Sequence, residues 1–290
     1  MQLTRATVRT AVLAALAEDQ SADDVTTRWS VPAALQVEAT MIAKQPGRVA
    51  GLPALREVYA TIDPTVTVRP AVADGDPVLP GQPLAWISGA AQSIITGERV
   101  ALNFVQRMSG IATLTAAFVA AIGARPVRLL DTRKTAPGLR AMDKYAVSCG
   151  GGTNHRLDLA AMVLLKENHL AAAGGVPAAV RRVRDGMTGE GRGMAIEVEV
   201  TTAEEAREAL DCQVEWLLLD NMSAEEMATI VEWRNTSGST SQLEASGTVT
   251  LDTVAEVAAT GVDAVSVGAL THSPTALDIS LLVTRDHELN

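Results

Sequence analysis

The sequence predicts an α/β protein in two dissimilar parts, the second a barrel of six parallel strands. Three observations point there. From about residue 127, six short apolar runs alternate with helix-like segments: VRLLDT (127–132), MVLLK (162–166), AIEVEV (195–200), WLLLDN (216–221), QLEASG (242–247) and AVSVGA (264–269). The runs look buried, which implies parallel strands joined by right-handed crossovers. Each run also finishes in a polar or small residue: Asp131, Lys166, Glu199, Asp220, Ser246 and Gly268. In an α/β barrel such ends converge on one mouth, where active sites lie. An open doubly wound sheet would use fewer of them, at a switch point. Polar residues at all six ends favour the closed barrel.

The intervening helices carry start signals. Thr202 precedes Glu204 and Glu205, Ser223 precedes Glu225 and Glu226, and Thr250 precedes Asp252. Each supplies a side-chain acceptor and early negative charge, which suit a helix N-terminus. The first part of the chain has another rhythm. A helix over about 5–18 precedes a strand-like stretch at 35–51 and a helix near 52–62. Residues 65–89 are rich in turn residues and resemble a hairpin. Two long helices follow, over 97–110 and 111–123.

Composition limits function. The 290 residues are 47% hydrophobic but only 3% aromatic, so the core is aliphatic. Few aromatics and a net charge of −10 argue against binding single-stranded or duplex nucleic acid. Cys149 and Cys212 are too few for a disulfide framework or a zinc site, which fits a reducing, cytoplasmic setting. The N-terminus reads as an amphipathic helix and not a signal peptide. No stretch approaches the roughly 18 apolar residues of a membrane span.

Against this acidic background, residues 131–170 gather Arg133, Lys134, Arg140, Lys144, Arg156, Lys166, His155 and His169 around Gly150, Gly151 and Gly152. A local cationic cluster in an acidic protein suggests a pocket for a small, multiply charged anion. Arg140 and Lys144, spaced i,i+4, suit a solvated helix face. The pairs Arg133–Lys134 and His155–Arg156 lie beside turn signals and suit it less. Glu199 and Asp220 end consecutive strands and could hold Mg2+, or could instead cap helices or pair with Lys166 and Arg133. Of Glu197 and Glu199, only one is expected to face the barrel interior. Ser246, Gly247 and Gly268 end the last two strands, where backbone N–H groups suit a phosphate, and His272 could add a donor. Arg99 reads as a surface residue at a helix start. No nucleophile motif is present, so catalysis should be positional and electrostatic.

The stretch DTRKTAPGLRAMDKYAVSCGGGTNHR followed by LLKENHL closely resembles the quinolinate phosphoribosyltransferases. EDQSADDVTT, GERVALNFVQRMSGIAT, EVEV, LLLDN, EASG and VSVGALTHS match the same family in order. The resemblance implies an N-terminal α/β sandwich and a six-stranded α/β barrel of type II phosphoribosyltransferase kind. It implies domains at 1–111 and 112–275, with a segment at 276–290 packing back on the first. The implied reaction converts quinolinate and phosphoribosyl pyrophosphate to nicotinate mononucleotide, pyrophosphate and CO2 in NAD biosynthesis. The implied assembly is a homodimer or hexamer with a shared site. By the same resemblance, Arg133, His155 and Arg156 grip the quinolinate carboxylates and Arg99 reaches in from a partner subunit. Lys134 and Lys166 face the anionic substrates. Glu199 and Asp220 hold Mg2+ or the ribose hydroxyls, and Ser246, Gly247, Gly268 and His272 cradle the 5′-phosphate. The chain departs from the family pattern at Asp158, Ala161, Glu167 and Thr248. The molybdenum-associated paralogue of this fold is the main alternative.

Overall fold

The computed structural model describes residues 3–284. In chain order the elements are α1 (Arg5–Glu18), α2 (Val25–Ser30), β1 (Gln36–Ala43), β2 (Gly47–Arg48), α3 (Leu52–Ile62), β3 (Thr67–Pro70), β4 (Pro77–Val78), β5 (Pro83–Ala90) and α4 (Ala91–Ile122). Then come β6 (Arg128–Leu130), α5 (Arg140–Cys149), β7 (Val163–Leu165), α6 (Glu167–Ala173), α7 (Val176–Gly186), β8 (Ile196–Val200), α8 (Ala203–Asp211) and β9 (Trp216–Asp220). The chain closes with α9 (Ala224–Ser237), β10 (Gln242–Ser246), α10 (Val254–Ala259), β11 (Ala264–Ser266), α11 (Ala269–His272) and β12 (Ile279–Thr284).

Packing divides the chain into two units. One comprises Met1–Ala116, Lys134–Gly151 and Ala269–Asn290, and the other Ala117–Arg133 and Gly152–Gly268. The limits 1–111, 112–275 and 276–290 follow the order of the sequence, whereas this division groups α5 and α11 with the first unit. Residues 285–290 of the last segment lie outside the described residues.

The first unit is built on a four-stranded sheet of order β12-β1-β5-β3, whose β12–β1, β1–β5 and β5–β3 ladders are all antiparallel. Its strand β1 alternates, with Val37, Ala39, Met41 and Ala43 buried, so one face meets the core. Glu57 on α3 is buried and takes Arg5 and Arg9 of α1, which ties those helices together. The two helices expected over 97–110 and 111–123 are one helix, α4, so Arg99 lies inside a helix and not at its start. The glycines at the bounds of the first expected helix serve close packing: a Cβ on Gly97 would meet the Tyr59 ring at 2.8 Å, and one on Gly110 would strike the Thr275 carbonyl. By length and composition α4 also passes as a membrane span, contrary to the expectation of none, but half of its most apolar window is buried in the protein.

The second unit holds the six-stranded parallel sheet, of order β6-β11-β10-β9-β8-β7. All six apolar runs are strands. Val198, Val200, Leu217, Leu219, Leu243, Ala245 and Val265 are fully buried, which accounts for runs without polar alternation. Thr153 bridges the outer edge of β6 in parallel. From there the chain brings His155 against side chains of β8 and β10, so the sheet curls around a common interior. Thr202 and Ser223 cap α8 and α9 as expected, the latter in a capping box with Glu226. At Thr250 the chain makes a turn first, and α10 starts only at Val254.

Candidate active site

In the second unit the site is assembled from strand ends. Asp131 follows β6 and is fully buried. Its carboxylate accepts hydrogen bonds from Asn154 Nδ2 at 2.6 Å and from the His155 backbone N–H at 2.8 Å, which pins the loop that carries Arg156. The Arg156 guanidinium donates to the Met162 carbonyl at 3.1 Å. Burial lowers the Arg156 pKa, and the nearby Arg133 lowers it further. The positive charge of Arg133 thus acts on the Arg156 guanidinium. Among the described residues, the buried Arg133 Nε has no hydrogen-bond partner. Holding like charges together beside an unsatisfied donor is unfavourable unless an anion lies between them.

His155 was expected to grip a carboxylate, yet both of its ring nitrogens are engaged within the unit. Nδ1 accepts from the Arg156 backbone N–H at 2.7 Å. Nε2 lies 3.1 Å from Glu197 and 3.3 Å from Glu244. Burial lowers the His155 pKa, while the two carboxylates outweigh it and push it up to about 10. A doubly protonated ring would set a proton against the Arg156 N–H. The hydrogen bond is the geometric observation: it makes Nδ1 the acceptor and turns Nε2, as the N–H, toward the two carboxylates, and burial raises the Glu197 pKa. The ligand atoms of His155, Glu197 and Glu244 lie within 4.8 Å of one another, as in a metal site.

Glu197 and Glu199 both face this interior, contrary to expectation, because residues two apart on a strand share a face. Lys166 Nζ pairs with Glu199, and the Lys166 backbone N–H donates to His169 Nδ1 at 3.0 Å, fixing the start of α6. Asp220 accepts from Asn221 Nδ2 at 2.9 Å. Asn221, to which the sequence analysis gave no role, adopts a positive φ of 56° and laces two strand ends. Its N–H donates to Ser246 O at 3.1 Å, and its Oδ1 accepts from the Thr248 N–H at 3.2 Å. Gly247 has a φ of +114°, and a Cβ there would collide with the Asn221 amide.

Three expected residues belong to the first unit. Arg99 is exposed on α4. The Lys134 carbonyl accepts from Thr271 Oγ1 at 2.9 Å, and Arg107 bridges the Thr271 carbonyl and Asp143, which also accepts from the Ala136 N–H. This network fixes the backbone of the Lys134 loop. His272 Nδ1 lies 2.6 Å from Ser273 Oγ. Lys144, expected on a solvated helix face, is fully buried in α5.

Sequence models of a single family cover nearly all of the chain: "Quinolinate phosphoribosyl transferase, N-terminal domain" over residues 24–109 and the C-terminal domain of the same description over 111–282. The chain belongs to the quinolinate phosphoribosyltransferase family. Among its relatives, quinolinate phosphoribosyltransferase (decarboxylating) 1 of Nicotiana glauca is 43% identical over 282 residues, covering 93% of this chain and 80% of that protein. A probable nicotinate-nucleotide pyrophosphorylase of Synechocystis is 42% identical over 250 residues, 86% of this chain and 83% of its own. The crystal structure of NadC from Streptococcus pyogenes superposes with a TM-score of 0.91 at 37% identity, covering 98% of this chain and 99% of that one. The nicotinate-nucleotide pyrophosphorylase of Francisella tularensis gives the same TM-score, 0.91, at 35% identity over 98% of each chain. The expected fold, an N-terminal sheet domain with a six-stranded α/β barrel, is thus that of the quinolinate phosphoribosyltransferases.

Proposed function

We propose that this chain is a decarboxylating quinolinate phosphoribosyltransferase of NAD biosynthesis. It would join quinolinate to phosphoribosyl pyrophosphate and release nicotinate mononucleotide, pyrophosphate and CO2. The observation that carries this is a pair of arginines in one unit, Arg133 and Arg156, with the Arg133 Nε buried and, among the described residues, without a hydrogen-bond partner. Quinolinate bears two adjacent carboxylates, and planar guanidiniums recognise carboxylates through paired hydrogen bonds.

The pair holds the pyridine nitrogen in line with the ribose C1 as the bond to pyrophosphate breaks. The ring then carries positive charge, and the carbon left by the departing carboxylate is stabilised beside it. Lys166, at a strand end, neutralises the anionic substrates. Ser246, Gly247 and Gly268 offer backbone at the ends of the last two strands for the 5′-phosphate. Glu199 and Asp220 end adjacent strands and offer oxygen donors only, a set that suits Mg2+ or the ribose hydroxyls. Bound there, Mg2+ would supply neutralisation of the leaving pyrophosphate. His155 is a positioning group and not a direct clamp. Roles for Lys134, His272 and a partner subunit's Arg99, and a cytoplasmic dimer or hexamer, rest on the family likeness alone.

Calorimetry on Arg133→Ala and Arg156→Ala tests the clamp. Each should weaken quinolinate binding by roughly ten- to a hundredfold, the worth of one charge-assisted contact, with the fold intact. Unchanged affinity would sink the assignment.

A further inference from the structure

The barrel interior holds two acidic side chains that the reaction above does not use. Glu197 on β8 and Glu244 on β10 are both 0% exposed. Among the described residues, none of their carboxylate oxygens has a well-formed hydrogen bond, and Nε2 of His155 approaches them at 3.1 and 3.3 Å. Apolar side chains would fill that space at lower cost. A cavity of about 140 Å3 beside Glu244, His155 and Arg156 has room for a few waters, which can satisfy remaining lone pairs.

His155 is gripped at three points. Glu197 and Glu244 face Nε2, the Arg156 N–H rests on Nδ1 at 2.7 Å, and Asp131 takes the backbone N–H at 2.8 Å. Arg156 is thereby held through its backbone by the ring and through its guanidinium by the Met162 carbonyl.

We propose that Glu197 and Glu244 are positioning residues for the substrate clamp: from inside the barrel they hold the Nε2–H of His155, and His155 in turn sets the place of Arg156. The inference rests on the reading of Arg156 as a carboxylate clamp.

The test compares Glu197→Met and Glu244→Met, which remove the acceptor at similar length, with Glu197→Gln and Glu244→Gln, which keep a carbonyl acceptor. The Met variants should raise the KM for quinolinate on the order of ten- to a hundredfold while the KM for phosphoribosyl pyrophosphate stays within about twofold, as expected when only one substrate is misplaced. The Gln variants should fall between these and the wild type. Nitrogen-15 spectra of the histidines should show a neutral Nε2–H ring at His155 in the wild type. Met variants with wild-type KM for quinolinate, or with both KM values rising together, would overturn the proposal. So would an imidazolium or an Nδ1–H ring, and the wild-type spectrum decides this even if a variant fails to fold. A wild type that shows the Nε2–H ring but does not turn over quinolinate would overturn the substrate reading and with it this role for the lock.

Discussion

At the scale of single residues, the site depends on backbone as much as on charge. Gly247 closes β10 with a φ of +114°, and its missing Cβ leaves room for the Asn221 amide. An alanine there would pay about 1–2 kcal/mol for the left-handed conformation alone, and it would also displace Asn221 from Ser246 and Thr248. Gly247→Ala should therefore raise the KM for phosphoribosyl pyrophosphate while leaving quinolinate binding near wild type. Steady-state kinetics with each substrate varied in turn checks this, and an unchanged KM for phosphoribosyl pyrophosphate would remove Gly247 from the phosphate cradle. Arg133 and Arg156, the residues of the proposed clamp, stood out in the sequence because arginines beside glycines and turns have few structural uses. The carboxylates behind them, Glu197 and Glu244, did not. Glu244 sits within an apolar run, and nothing local announces that a histidine about ninety residues earlier will meet it.

Among elements, α4 shows where local reading failed. Glycine costs about 1 kcal/mol against alanine within a helix, which makes Gly97 and Gly110 poor markers of a continuous one. Both lie inside the helix, kept small by the Tyr59 ring and by the Thr275 carbonyl. The two effects oppose each other at Gly110. Propensity favours Gly110→Ala by about 1 kcal/mol, whereas overpacking against backbone costs about 1–3 kcal/mol. The clash involves main chain that cannot rotate away, so overpacking should win. Urea denaturation should show Gly110→Ala destabilised, and a stabilised variant would mean the 275–277 segment yields easily. The barrel strands, by contrast, were legible. They are buried on both faces, and a short, unbroken apolar run between turn signals suits a strand covered on both sides.

For the whole molecule, sequence order and packing order diverge. The segments 134–151 and 269–284 join the first unit, although one interrupts the second along the chain and the other follows it. Only long-range contacts decide this, and no local pattern encodes them. Assembly lies on the same scale. Arg99 is exposed on α4, and the family likeness assigns it to a neighbouring subunit's site. If so, Arg99→Ala subunits mixed with Lys166→Ala subunits should regain activity, since one of two sites in a mixed dimer carries both intact residues. Complementation assayed after denaturing and refolding the mixture checks this, and no recovery would confine the site to one chain. The central claim is chemical, and one assay addresses it most directly: release of CO2 and formation of nicotinate mononucleotide from quinolinate and phosphoribosyl pyrophosphate, with and without Mg2+, and with nicotinate as control. Mg2+-dependent turnover of quinolinate, and none of nicotinate, is the expected result. A folded enzyme that binds phosphoribosyl pyrophosphate but leaves quinolinate unreacted would contradict it.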